Sequence, residues 1–340
     1  MSRPKVLYIP PQSHTDRVFR PAMFQRMCDQ FDVTINPREE QYTAEQVAEE
    51  IAGYDGLVTG WGSPGMSDAA LENADRLKII AHSAGSVKFL VTPEQIEKVL
   101  LPRDIVIFSA NHAIAYNVAE TAVGMLISIP RRFADFHHAL RSTRQWGYHD
   151  IPPSGQFLQG ATVGVVAASK VGREVIRMLQ PFDCTILLHD PFVSAAQAKE
   201  WGVERVELND LFARSDMVTL HLPSIPSTNH MIGAEQLRLL RDGATLVNTS
   251  RGSVLDEAAL YEEAKDGRIL VALDVTDPEP PKPDNPLLPL PNVYLTPHTS
   301  GAGDYGYLMI GKQTVEALEA RFAGKPVPNA VPLDKWEILA

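Results

Sequence analysis

Cysteine is almost missing from this chain, with two in 340 residues, Cys28 and Cys184. They make no CxxC pair and no zinc pattern, which excludes a disulfide scaffold and a cysteine-held zinc centre. Both stand near apolar residues and read as buried thiols of a reducing compartment. Positive charge is in the minority: 31 Lys and Arg face 42 Asp and Glu, a net charge of −11. A nucleic-acid surface needs a basic stripe that this balance does not provide. No apolar run is long enough to span a bilayer, and the opening MSRPKVLYIP carries no long apolar segment. A cytoplasmic protein with neither nucleic acid nor membrane as partner is expected. Internal repeats and low-complexity tracts are also lacking.

What is present is ordinary globular composition, 44% apolar and 21% charged, over a length sufficient for two domains with separate cores. The chain is organised around Ala161–Asp190. Thr162–Ala167 reads as a buried parallel strand, followed by a short turn and a helix with Val171, Val175, Met178 and Leu179 on one face. Pro181 ends that helix, and Cys184–Leu188 is a second strand that stops at Asp190. Strand, turn, helix, strand and terminal acid form half of a dinucleotide-binding fold. The turn itself is short of glycine: where G-x-G-x-x-G falls in such folds, this chain has Ala167-Ala168-Ser169-Lys170-Val171-Gly172. Ala and Ser narrow the approach of a pyrophosphate to the helix N-terminus without blocking it, and Ser169 offers a hydroxyl. An ordinary buried crossover reads the same way. Asp190 favours a nucleotide, because it can accept both ribose hydroxyls and repels a 2′-phosphate, so NAD is expected over NADP. An acid opening a turn before Pro191 is the plainer alternative.

Elsewhere the chain alternates strand and helix. Lys5–Ile9, Val33–Asn36, Gly56–Thr59, Lys78–Ala81 and Ile105–Phe108 read as strands of a small doubly wound domain, with helices over Phe19–Gln30, from a capping box at Thr43 to Ile51, and over Asp68–Asn73. Asn117–Ile129 has a strong helical period and reads as a bridge to the second domain. The segment 131–160 mixes aromatics, His and Arg and resembles an arm suited to dimer contacts. After Asp190 come a helix capped by Ser194, strands at Met217–His221, Thr245–Asn248 and Leu270–Asp274, a helix over Asp256–Asp266, a last strand Val293–Leu295 and a final helix Asp304–Phe322.

Three strands of the second domain end in residues with chemical potential: Arg251, Asp274 with Glu279 just beyond, and His298. Strand ends of a parallel sheet converge on one edge. Arg offers a planar fork for a carboxylate or 2-keto acid, and a His held by a carboxylate is a general acid/base near neutral pH. Each alone also reads as a strand-end cap, a solvated acid or a satisfied histidine. Together, downstream of a nucleotide-binding unit, they favour chemistry.

The stretches VGREV, LLHDPF, MVTLHLPSIPSTNHMI, LVNTSRGSVLDEAAL, ALDVTDPEP and LTPHTSG, with VAET at 118–121 and the closing GKPVPNAV, resemble the D-isomer-specific 2-hydroxyacid dehydrogenase family, which includes phosphoglycerate, glyoxylate and hydroxypyruvate reductases. The resemblance implies an α/β protein of two doubly wound, Rossmann-like parallel-sheet domains with the active-site cleft between them. It implies a flavodoxin-like substrate domain over 1–112 and 303–340 and an NAD-binding domain over 113–302. The activity implied is NAD-dependent interconversion of a small 2-keto acid and a D-2-hydroxy acid by a homodimer. Arg251 would orient substrate, Glu279 would hold His298 and favour its protonated form, and His298 would exchange a proton with the keto oxygen. Asp274 would take the nicotinamide carboxamide and Pro223 would line its pocket. Ser169, Lys170, Val171, Asp190 and Thr249 would hold the rest of the cofactor. Ala84, Gly85 and Ser86 would take the substrate carboxylate, with Trp61 shaping preference.

Two departures stand out from the family pattern: Ala167 and Ser169 in place of glycines, and Ser86-Val87-Lys88-Phe89 in the substrate loop. Glu279 argues against a formate dehydrogenase, whose pattern has glutamine there. Two alternatives stay open, an NADH-responsive corepressor-like binding module and a pseudoenzyme that has lost its cofactor.

Overall fold

The computed structural model describes residues 3–152 and 155–338. They fall into two units, one made of the residues up to Ile114 together with those from Ala302 on, the other of Ala115–Gly301. The first boundary lies inside the helix Asn111–Ser128.

The first unit holds one five-stranded sheet with strands β1 (Lys5–Tyr8), β2 (Asp32–Ile35), β3 (Gly56–Thr59), β4 (Ile79–His82) and β5 (Val106–Ser109). All pairings are parallel and the spatial order is β2-β1-β3-β4-β5. Alternate residues of β1 and its extension feed two different cores: Leu7 and Ile9 pack on one face, Val6 and Tyr8 on the other. A strand buried on both faces needs apolar residues at every position, as KVLYI provides after its first residue. Each such side chain contributes about 1.5–3 kcal/mol of burial. The second face is covered partly by the final helix, Asp304–Phe322, whose Ile310, Val315 and Leu318 are buried.

The second unit holds seven parallel strands: β6 (Thr162–Val166), β7 (Thr185–His189), β8 (Glu204–Arg205), β9 (Met217–Leu220), β10 (Thr245–Asn248), β11 (Leu270–Leu273) and β12 (Val293–Leu295). Their order is β12-β11-β10-β9-β6-β7-β8, so the direction of winding reverses between β6 and β9. That reversal opens a crevice at the carboxyl ends of these two strands, where nucleotides bind in doubly wound sheets.

Most expected elements are present within a residue or two. The helix expected over Phe19–Gln30 is Pro21–Gln30, and a further helix that was not expected, Gln12–Val18, precedes it. Pro21 lacks an N–H and so opens a helix at its first position instead of continuing one. The helix expected from Asn117 starts at Asn111, and the arm contains a helix, Phe133–Thr143. Short helices at Leu208–Arg214 and Ala234–Leu239 have no strong period to announce them. The two cysteines are half-buried, not buried. Among the described residues no single helix is long and apolar enough to cross a membrane.

Three histidines are sealed in these cores: His14, His82 and His221. Ser83 Oγ donates to the Thr59 carbonyl at 2.6 Å, so the 2.9 Å contact between His14 Nε2 and Ser83 Oγ has the imidazole as donor. His82 Nδ1 lies 2.8 Å from Thr59 Oγ1, and His221 Nε2 lies 3.0 Å from Thr219 Oγ1. Burial lowers the pKa of His14 to about 4, with Arg17 adding to the effect. Burial also lowers His82 and His221 to about 3, with His14 adding to the effect at His82. The unfolded chain binds these protons near pH 6.5 and the folded chain does not. Their contribution to stability is therefore full above about pH 6.5 and declines as pH falls towards 4, by about 1.4 kcal/mol per pH unit for each histidine. Urea unfolding between pH 7 and 4.5 should show a flatter decline in His82→Asn, which keeps a polar atom near Thr59 and cannot take up a proton. An identical decline in the variant would remove His82 from this account.

Candidate active site

Strands β10, β11 and β12 are consecutive parallel neighbours, so their carboxyl ends lie on one edge and deliver Arg251, Asp274 and His298 to it. The loops that follow are held together at short range. Gly252 passes so close to Thr276 that a Cβ there would sit 2.1 Å from the Thr276 carbonyl oxygen. Any larger residue would push the Arg251 loop away from the loop that carries Glu279. Asn248 fixes the Arg251 turn from below: its Nδ2 donates to the Arg251 carbonyl at 3.0 Å, and its Oδ1 accepts from Ser250 N at 3.0 Å. Arg251 Nη1 donates to the Ser250 carbonyl at 2.6 Å. The side chain reaches solvent, yet surrounding protein lowers its pKa by desolvation, opposed by the Glu279 charge.

Asp274 has an occupation that the resemblance does not imply. Its side chain is 1% exposed. Oδ1 accepts from Thr296 Oγ1 at 2.5 Å and Thr299 N at 2.8 Å, and Oδ2 accepts from Ser300 N at 2.9 Å. Its backbone carbonyl accepts from His298 N at 2.9 Å. This one residue grips the loop on both sides of His298, and one acceptor site is left on Oδ2. His298 itself has a left-handed backbone, φ +51°. Such a conformation is uncommon outside glycine and persists where neighbours over-determine it.

The His298 ring meets Glu279 with Nδ1 2.5 Å from Oε1. An ionised carboxylate can only accept, so Nδ1 carries the proton. In the neutral ring Nε2 is then the basic nitrogen, and in the charged ring it is the acid. Both side chains remain nearly half exposed, 45% and 42%, which leaves Nε2 open to a reactant.

At the β6–β9 reversal, the glycine-poor turn keeps the shape that glycines allow. Ala167 adopts φ +75°, the left-handed conformation in which alanine is strained. Gly172 is indispensable, since a Cβ there would lie 2.1 Å from the Ala167 carbonyl oxygen. Ser169 caps the helix Lys170–Leu179, its Oγ accepting from Gly172 N at 3.3 Å, and its hydroxyl donates to no acceptor among the described residues. Lys170 starts that helix with its pKa lowered by burial and by Arg173, and Val171 is half-buried beside it. Asp190 is buried at the end of β7, with Oδ2 accepting from Ala168 N and Oδ1 from Phe192 N, both at 2.8 Å. Each oxygen keeps a second acceptor site. Thr249 Oγ1 is buried with no hydrogen-bond partner among the described residues. Pro223 is half-buried just after β9. Thr249 stands at the carboxyl end of β10, two strands from β6, and its unpartnered hydroxyl on that sheet edge fits a polar cofactor.

In the first unit, Trp61 follows β3 and packs edge-on against His14 and Tyr307, with ring centroids at 5.4 and 5.7 Å. Ala84, Gly85 and Ser86 follow β4. Ser109 Oγ donates to the Gly85 carbonyl at 2.6 Å. A trans peptide sets C=O and N–H opposite each other, so this bond turns the Ser86 N–H away from Ser109.

Residues 123–300 match the family model for the NAD-binding domain of D-isomer-specific 2-hydroxyacid dehydrogenases, which is more than half of the chain. This chain belongs to that family. The D-3-phosphoglycerate dehydrogenase of Methanocaldococcus jannaschii is 34% identical over 291 residues, 85% of this chain and 54% of that one. The chain spans about half the length of that relative and of its Archaeoglobus fulgidus counterpart. The glyoxylate reductase of Korarchaeum cryptofilum is 33% identical over 306 residues and matches end to end more fully, 89% of this chain and 90% of that one. Among solved structures, the apo form of Escherichia coli D-lactate dehydrogenase superposes with a TM-score of 0.70 at 25% identity, covering 96% of this chain and 99% of that one.

Within this D-2-hydroxyacid dehydrogenase fold, three supports have no signal in the sequence. Asn248 and Ser109 are common polar residues at strand ends, and their bonds are visible only in three dimensions. The grip of Asp274 on the His298 loop likewise depends on the pairing of β11 with β12. The strain at Ala167 gives a direct test. Ala167→Gly should raise stability by about 1 kcal/mol, read as a higher denaturation midpoint, because glycine takes φ +75° without a Cβ clash. A lower midpoint would show that the alanine methyl packs well enough to outweigh the strain.

Proposed function

We propose that this protein interconverts a small 2-keto acid and the corresponding D-2-hydroxy acid with NAD(H), using His298 as acid/base. The observation that carries this reading is the Glu279–His298 pair, with Nδ1 held and Nε2 open, on the same sheet edge as Arg251. When bound, the nicotinamide would supply the hydride chemistry at the substrate's C2, as donor in reduction and acceptor in oxidation. His298 Nε2–H gives its proton to the keto oxygen in reduction, and neutral Nε2 takes the hydroxyl proton in oxidation. Glu279 accepts from Nδ1 and keeps the ring from turning, so that Nε2 is the nitrogen presented to the substrate. Arg251 orients substrate through its carboxylate and keto oxygen, which suits a planar fork. Ser169, Lys170, Val171, Asp190, Pro223 and Thr249 are the residues that would hold the cofactor. Trp61 and the loop Ala84–Ser86 are the proposed contacts to the substrate's carboxylate and side chain.

The carboxylate of Asp190 supports a preference for NADH, since a 2′-phosphate would meet like charge. The helix Phe133–Thr143 has no buried residue, and Trp146 beyond it is 95% exposed. Phe133, Tyr148 and Phe157 are exposed as well, with Arg131 stacked over Phe133 and Phe157. So large an apolar surface supports a homodimer formed through this arm. The free cysteines support a reducing, cytoplasmic setting.

Turnover of glyoxylate, hydroxypyruvate, pyruvate and bulkier keto acids with NADH tests the activity. His298→Asn should lower kcat by about 10²–10⁴, with NADH binding, read by fluorescence, changed little. Arg251→Lys should raise KM and lower kcat together, since the charge stays and the fork is lost. No turnover of any keto acid, or full activity in His298→Asn, would sink the reading. Equal kcat/KM with NADH and NADPH would sink the cofactor preference. Sedimentation should give a dimer that Phe133→Glu combined with Trp146→Glu converts to monomer; an unmodified protein that sediments as a monomer would end the assembly proposal.

A further inference from the structure

The first unit has a second built feature, at the opposite edge of its sheet from Trp61 and Ala84–Ser86. Arg3 lies two residues before β1, Lys78 directly before β4, and Arg76 two residues earlier, so all three stand at the amino ends of the parallel strands. Arg321 joins them from the last turn of the helix Asp304–Phe322. These four cations and one carboxylate, Asp55, line a cavity of about 430 Å³. Asp55 is paired with Arg76 and Asp104 with Arg321, which leaves the charges of Arg3 and Lys78 as a local positive excess in a chain whose net charge is −11.

The arginines are already held in place. Arg3 Nη1 donates to the carbonyls of Cys28 and Asp29 at 3.2 and 3.0 Å. Arg76 uses Nε and Nη2 on Asp55 Oδ1 at 3.2 and 2.9 Å. Arg321 uses Nε on the Lys78 carbonyl at 3.2 Å and Nη2 on Asp104 Oδ2 at 2.7 Å. Each guanidinium has five N–H donors. The Nη1 groups of Arg76 and Arg321, and the Nε and Nη2 of Arg3, therefore remain without an acceptor among the described residues. The Lys78 ammonium has no hydrogen bond or ion pair among them either. Most of the side-chain ordering that binding would require is complete before a ligand arrives. Asp55 opposes an anion only weakly, because its Oδ2 accepts from Lys5 N at 2.9 Å and Arg76 lies across both of its oxygens.

We propose that this cavity is a binding site for a phosphoryl group carrying at least two negative charges, on a small molecule distinct from the substrate. Three guanidinium groups and one ammonium, each with spare donors, line the space from three chain segments, around Arg3, around Arg76 and Lys78, and around Arg321. A tetrahedral phosphoryl group presents oxygens on several sides at once, whereas a carboxylate presents two in one plane. The site is independent of the proposed catalytic residues, and its test does not need turnover.

Calorimetric titration of the intact protein with pyrophosphate at low ionic strength should show a saturable site. Lys78→Glu should weaken that site at least tenfold and Lys78→Ala several-fold, with the melting temperature unchanged in both, since the Lys78 side chain supports no other bond among the described residues. Raising the salt concentration should weaken binding in the unmodified protein. Absence of saturable binding would overturn the proposal and leave the cations as neutralisers of the carbonyl end of the helix Asp304–Phe322. Equal affinity in Lys78→Glu would overturn it too, by placing the anion elsewhere. Citrate binding more tightly than pyrophosphate would overturn the phosphoryl assignment.

Discussion

The candidate chemistry depends on one buried carboxylate. Asp274 sits at the end of β11, and burying its charge is tolerable only because two backbone N–H groups and a hydroxyl point into it. Those donors come from residues on both sides of His298, so satisfying the charge also sets the loop. The left-handed backbone of His298 follows from that grip, and it presents the ring to Glu279. Removing the carboxylate would leave buried donors unpaired and the histidine free to relax its backbone.

Close backbone approach is the second constraint on the same edge. Gly252 against Thr276 brings the Arg251 loop beside the Glu279 loop, near enough for the Glu279 charge to act on Arg251. Both loops grow from strands whose register is fixed by unbroken parallel pairing. Rigid strands therefore supply the placement, while the loops supply the reactive groups. Beside β6 the same logic carries a cost. Ala167 holds a conformation better suited to glycine, and Gly172 has no alternative at all. The turn keeps its cradle shape at the expense of local strain, which the surrounding sheet sustains.

Several elements are legible in the amino-acid sequence because their signals are local. The capping box Thr43–Gln46 closes as its residue types require. The β-branched runs at Thr162–Val166 and Thr245–Asn248 form buried parallel strands. Arg251 and His298 stand out because each follows such a run. Less legible is the helix Gln12–Val18, which lacks a clear apolar period and ends three residues before Pro21 opens the next helix. The inward role of Asp274 is hidden for a different reason, since an acid at a strand end looks the same facing a ligand or facing its own chain.

The order of residues along the chain suffices for the alternation of strand and helix, the all-apolar strands, the acid closing β7 and the residue types at the ends of β10 to β12. Periodicity, capping and strand composition act over a few residues, so they can be read in one dimension. Folding alone settles which nitrogen of His298 is free, which donors occupy Asp274 and Asp190, and which glycines cannot be replaced. It also brings Arg3, Arg76, Lys78 and Arg321, from three segments far apart in the chain, to one cavity. Those facts rest on distances between segments far apart in the chain, and strand pairing sets such distances only once the sheet has formed.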